Sequence, residues 1–246
     1  MILLLFLTIF ALSVRAEEFQ FPNINLEIGN NQGNGKGGDL VDSLKILLLL
    51  TVISLAPSFL IMLTSFTRII IVLSLIRNAL ATQRMPPNQV LIGLALFMTV
   101  FIMAPVWQAI NTDALQPYIN QEIETEIFYQ QAAEPLREFM FKQTREKDLA
   151  LFVELASIER PENRDDIPLF VLIPSFIISE LKSAFQIGFM IYLPFIMIDM
   201  VVASILMSMG MMMLPPVMIS LPFKLLLFIL VDGWYLLIET LIKTFV

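Results

Sequence analysis

Asp199, Lys224 and Asp232 are ionisable residues set inside long apolar runs, a placement in which a single side chain has large energetic consequences. A charge at the centre of a bilayer costs about 2.5–3.5 kcal/mol on insertion scales. Each of the three must pair, face a protein interior or a wet wall, or lie outside lipid. For Asp199 and Asp232, structural pairing and a proton relay are both open. Glu180 and Lys182 stand two residues apart, so on a helix they point in well-separated directions and do not pair with each other. Each either bridges to a neighbouring subunit or snorkels to water from a helix end. Lys224 and Asp232 are eight residues apart, too far for a local pair, and both need partners elsewhere.

Other chemistries are excluded by composition. The chain has no cysteine and no histidine. That removes disulfides, thiolate nucleophiles, His-ligated zinc and Ser-His-Asp triads. An intramembrane aspartyl protease needs paired aspartates in Gly-Asp and Tyr-Asp contexts. Asp199 in Ile-Asp-Met and Asp232 in Asp-Gly-Trp supply neither. No enzyme, metal or cofactor is expected. A pI near 4.7 without a basic run also makes nucleic acid an unsuitable partner.

The elements that carry these residues belong to a membrane protein. Hydrophobic residues make up 57% of the 246 and mean hydropathy is +0.80, against about 45–50% apolar residues in soluble domains. Four apolar regions come after a polar leader: Leu44–Leu63, Val90–Trp107, Ile167–Met213 and Val217–Ile242. Each is long enough for the roughly 20 residues of a spanning helix. Prolines 57, 105, 174, 194, 215, 216 and 222 interrupt these regions and free backbone carbonyls that need protein partners. The chain reads as one built to have neighbours. Arg84-Met85-Pro86-Pro87 and Met213-Leu214-Pro215-Pro216 each precede an apolar run. That suggests two helix–Pro-Pro corner–helix hairpins, an arrangement that recurs in transport proteins, although chance similarity of apolar helices explains it equally well.

The divisions expected are 1–16 as a signal peptide, 17–43 as a flexible polar leader, 44–107 as a first hairpin, 108–166 as an acidic helical segment and 167–246 as a second hairpin. The signal peptide rests on the apolar core Ile2–Leu12 and on Val14 and Ala16 before Glu17; a short uncleaved anchor is the other reading. Arg68, Arg77 and Arg84 lie in a segment without acidic residues, so the positive-inside rule places Arg68–Arg84 in the cytoplasm. Asn111–Asp166 holds thirteen acidic and six basic residues and is then periplasmic. Within it Phe139, Leu149, Phe152, Val153 and Leu155 recur at mixed three and four spacings, as on helices.

Three stretches are specific beyond hydropathy: Pro174-Ser-Phe-Ile-Ile-Ser-Glu-Leu-Lys-Ser-Ala-Phe-Gln-Ile-Gly-Phe189, Met209-Gly-Met-Met-Met-Leu-Pro-Pro216 and Pro222-Phe-Lys-Leu-Leu-Leu-Phe-Ile-Leu-Val-Asp-Gly-Trp234. In this order and spacing they resemble the FliP family of flagellar type III export-gate proteins, and the resemblance covers nearly the whole chain. Ser175 stands where many relatives carry Ala. The resemblance implies an all-α membrane protein whose bent helical hairpins pack into an oligomeric export gate of about five copies, with a small helical periplasmic segment. It also implies FliQ-like and FliR-like membrane partners at the flagellar basal body of the bacterial inner membrane, and passage of unfolded exported proteins driven by the proton gradient and a separate ATPase. A proton- or ion-coupled small-solute transporter is the competing reading, suggested by the intramembrane charges and broken helices.

The resemblance further implies that Met211, Met212 and Met213 line the narrowest part of a pore as a gasket. Methionine suits that work, being unbranched, polarizable and adaptable; ordinary lipid-facing sequence is the alternative. Gly210 before the run and Pro215-Pro216 after it fit a bent loop. Glu180, Lys182, Phe185, Gly188, Lys224, Asp232, Gly233 and Trp234 are expected at subunit contacts or structural pairings. Gly188 permits close helix approach, and Trp234 reads as an interfacial anchor. Phe139 and Phe152 either mediate subunit packing or fill the core of their own segment.

Overall fold

The structure is a computed structural model that describes residues 38–82, 85–158, 161, 163–211 and 213–245. The expected signal peptide and almost all of the leader lie outside the described residues. The chain divides between Leu50 and Thr51 into two units. In the first, only the opening of one helix is described; the second holds the remainder of that helix and every other described element.

Among the described residues every regular element is helical. In order they are α1 (Gly38–Met62), α2 (Phe66–Ala79), α3 (Asn88–Ala109), α4 (Gln116–Ile119), α5 (Thr125–Gln143), α6 (Glu146–Leu155), α7 (Leu169–Ser208), α8 (Pro216–Leu230) and α9 (Gly233–Lys243). A π-helical turn, Ile110–Leu115, joins α3 to α4, so the helix runs on from Asn88 to Ile119. The expected boundary at 107/108 falls inside this continuous rod.

Among the described residues two helices are long and apolar enough to cross a membrane: Asn88–Ile119 and the 40-residue α7. The pair α8–α9, bent by 64°, passes the same test only when taken together, as a broken span or a re-entrant loop. At about 1.5 Å per residue, α7 is roughly twice the length that a 30 Å hydrocarbon layer requires. Its two halves accordingly have different neighbours. The first half packs against α2, α5 and α6, the second against α8.

The core is built on α2. Ile69, Val72, Leu73 and Ile76 are buried at helical spacing and meet Ala184 of α7 with Leu91, Ala95 and Met98 of α3. Two proline corners shape the hairpins. Pro87 caps the start of α3, and Pro215 and Pro216 open α8, where a missing N–H costs nothing because the first turn leaves its N–H groups unpaired. Among the described residues the acidic segment shares a core with α7. Met140 of α5 is buried with Val171, Leu172 and Phe176, and Phe139, Leu149, Phe152 and Val153 pack against them. Phe139 and Phe152 thus serve a core shared between that segment and α7, a third outcome beside the two expected.

Candidate functional site

Two buried cations organise the hairpins. Arg68, at the start of α2, is almost wholly enclosed. Its Nε donates to Glu180 Oε2 at 3.0 Å, and Nη2 donates to Glu180 Oε1 and to Gln143 Oε1 at 3.0 Å. Nη1 donates to the carbonyl and hydroxyl of Thr244 at 3.2 and 3.1 Å. All five guanidinium N–H donors are therefore used, and the carboxylate is gripped by two of them in the strong bidentate mode. The guanidinium also lies 3.9 Å from the centroid of the Phe245 ring. One residue thereby ties α2, the end of α5, α7 and the chain's last residues together.

This geometry bears on two expectations. Of the subunit contact and the structural pairing open to Glu180, the chain itself supplies a structural pairing, its carboxylate being taken up by Arg68. Arg68 is not a solvent-facing charge that votes on orientation. It shares its end of the bundle with Gln143 of the acidic segment, whereas Arg77, at the far end of α2, donates to Pro86 O and Asn88 Oδ1 in the first corner. Arg84 lies outside the described residues. The Arg68–Arg84 segment is thus not one basic face.

Lys224 is the second cation, buried to 2% exposure. Its Nζ donates to Asp199 Oδ2 at 2.7 Å and to the carbonyl of Ala79 at 3.2 Å. Ser220, one turn earlier on α8, donates its hydroxyl to Asp199 Oδ1. Ala79 is the last residue of α2, so the ammonium also sits at a helix C-terminus, where the dipole favours positive charge. Of the subunit contact and the structural pairing open to Lys224, the chain again supplies a structural pairing. A clamp between α7 and α8 holds the second hairpin and fastens it to the corner of the first. The intramembrane charges that suggested a solute transporter are, for Lys224 and Asp199, partners of each other.

Beyond the clamp, α7 ends in a turn that its sequence dictates. Gly210 adopts φ +72°, its N–H bonds to Met207 O and the N–H of Met211 bonds to Leu206 O, both at 3.0 Å. This is the Schellman pattern, whose left-handed residue is glycine for lack of a Cβ clash. The turn presents Met209, Met211 and Met213 to the outside, Met213 with 98% of its surface exposed. Met212 lies outside the described residues. An open apolar groove of about 590 Å³ runs between α7 and α8 below this tip, past Val201, Leu206, Ile219 and Phe223.

The remaining expected residues separate into two groups. Gly188 and Gly233 are spacing residues. A Cβ on Gly188 would collide with the Leu75 side chain of α2, and one on Gly233 with the Phe228 ring. Trp234 meets that ring edge to face, centroids 5.4 Å apart, and Phe139 stacks on Phe245. Lys182, Phe185 and Asp232 are exposed, and Asp232 occupies a left-handed backbone conformation, φ +50°, at the break between α8 and α9. Sequence reasoning missed Gln143, Ser220, Thr244 and Phe245 as partners. Ser220 was within reach of it, standing four residues before Lys224 on the same helix face.

Fold and site together define a class: an all-α membrane protein made of two proline-cornered hairpins, one of them carrying a clamped methionine tip. Within that class the chain belongs to the FliP family, whose profile matches residues 49–241. It is 64% identical over 203 residues to the flagellar biosynthetic protein FliP of Bacillus subtilis (strain 168), covering 82% of this chain and 92% of the relative. It is 48% identical over 241 residues to the protein of the same name in Aquifex aeolicus, covering 97% and 98%. The flagellar biosynthetic protein FliP of Pectobacterium carotovorum is 55% identical over 203 residues, 82% of this chain and 79% of the relative.

Proposed function

We propose that this chain is a core, pore-forming component of the flagellar type III protein export gate, through which unfolded flagellar proteins cross the bacterial inner membrane. Membership of a family of flagellar biosynthetic proteins supports the system. The observation that carries the pore-forming role is the methionine tip. A stiff hairpin, clamped by Lys224 and Asp199, ends in a tight turn that exposes flexible thioether side chains. Rings of such tips from about five copies, with FliQ-like and FliR-like partners, would seal against ions and yield around a passing chain, because methionine repacks at low cost. In this reading Met211, Met212 and Met213 form the gasket, and the acidic segment with the C-terminus faces the periplasm at the basal body.

Deleting Met211–Met213 tests the reading. The complex is expected to assemble and to conduct ions when reconstituted in planar bilayers. Wild-type conductance from an assembled deletion complex would remove the gasket from the account.

A further inference from the structure

We propose that copies of this chain dock head to tail through an ion pair between Asp232 of one copy and Lys182 of the next. The proposal rests on the oligomeric reading above and names a contact within it. In the second hairpin the acidic residues are Glu180, Asp199, Asp232 and Glu239, and the basic ones are Lys182, Lys224 and Lys243. Glu180 is held by Arg68, Asp199 by Lys224 and Glu239 by Lys243. That leaves one anion and one cation, Asp232 and Lys182, without a polar partner in the chain among the described residues.

Asp232 sits at the bend of the apolar pair α8–α9, and in hydrocarbon an unpaired charge there would be costly. Its backbone is left-handed, a region in which Asp is among the enriched residues, and its side chain is exposed. Exposed apolar residues flank it, Ile229, Leu230 and Tyr235. Lys182 is matched in kind, with Phe185 and Phe189 exposed beside it. A pair formed between two such patches would be ringed by apolar side chains that exclude water, the setting in which a charge pair counts most.

The two patches face opposite ways. On α7 the buried line is Glu180, Ala184 and Gly188, while α8 and α9 cover the side bearing Ile191 and Phe195. Ile191 is nine residues from Lys182, about two and a half helical turns, and so points half-way round the helix. Lys182 therefore projects from the back of the layer on whose front Asp232 stands. Complementary patches on opposite faces make a heterologous contact, which closes into a ring when the rotation allows. Val231 and Gly233 border the same groove as Ile191 and Phe195, nine and thirteen residues along α7 from Lys182, roughly 14–20 Å at 1.5 Å per residue, so the pair forms only where the helices of the ring are tilted against its axis.

The test is charge exchange in the full chain, expressed in membranes with its partners and followed by native gel and native mass. Lys182→Asp and Asp232→Lys should each lower the recovered ring by at least about tenfold, and the double exchange should restore it to within about twofold of wild type. Lys182→Gln and Asp232→Asn should weaken the ring while leaving the thermal stability of the dissociated chain unchanged, since neither side chain has a polar partner among the described residues. Because the chain has no cysteine, co-expressed Lys182→Cys and Asp232→Cys chains can be joined by a short bismaleimide, with cross-linked dimers expected only in the mixture. Single exchanges that assemble like wild type, or a double exchange no better than the worse single, would overturn the pair while leaving the gate reading intact. Failure of the wild-type chain to form a ring would sink the oligomeric reading itself and the pair with it.

Discussion

Arg68 and Lys224 show how the same sign of charge does different work in different hands. Arginine's planar fork reaches three elements at once, which a lysine's point charge with three donors cannot do. Arg68→Lys is expected to keep the pairing with Glu180 and lose the hold on Thr244 and Gln143. The cost should be about 1–3 kcal/mol, read as a lower melting temperature in detergent and as earlier proteolysis of the last residues. At Lys224 the need is a compact ammonium between a carboxylate and a helix end. Removing one member of a buried pair typically costs about 3–5 kcal/mol, and Asp199, with 27% of its side chain exposed, puts Lys224→Met toward the lower figure. That loss should appear in the isolated chain, before any assembly, and adding Asp199→Asn should recover part of it. A variant chain as stable as wild type, with a defect only in the ring, would contradict the in-chain pairing.

At the scale of elements, α2 and α7 lie close because Gly188 offers no Cβ where Leu75 needs room. Gly188→Val should push the two helices apart and destabilise the chain by roughly 1–3 kcal/mol through overpacking. Leu75→Ala placed with it should recover much of the loss by vacating the same space, measured by thermal denaturation of both variants. The methionine tip depends on a different glycine property. Nothing stands within 4 Å of the position a Cβ would take at Gly210, so its role there is the positive φ alone. Hairpin existence was legible in the Pro-Pro corners, whose chemistry is local. The 40-residue continuity of α7 was not, because Pro174 and Pro194 signal breaks that packing on both sides overrides.

For the whole molecule, the two ends of the bundle carry opposite tasks. Arg68, Gln143, Glu180 and Thr244 gather at one end, and the clamp and methionine tip occupy the other. If the acidic segment is periplasmic, single cysteines at Lys147 and Lys243 should both react with a membrane-impermeant maleimide added outside, and one at Asn88 should not. Labelling of Asn88 alone from outside would reverse the orientation. Hydropathy could count the apolar regions of this molecule, yet it could not say which end Arg68 belongs to, since a buried arginine and a cytoplasmic one are written identically.

By itself the sequence determined the class of solvent, the helical content, the two corners, the turn at Gly210 and the family, all consequences of composition, local backbone chemistry and long mixed-polarity motifs. Tertiary structure alone decided which charges meet. Glu180 and Arg68 are 112 residues apart, and Lys224 and Ala79 145. No periodicity carries information over such separations, because pairing there depends on how helices pack and not on how any one of them is spaced. For the same reason only the folded chain reveals that Asp232 and Lys182 are left over.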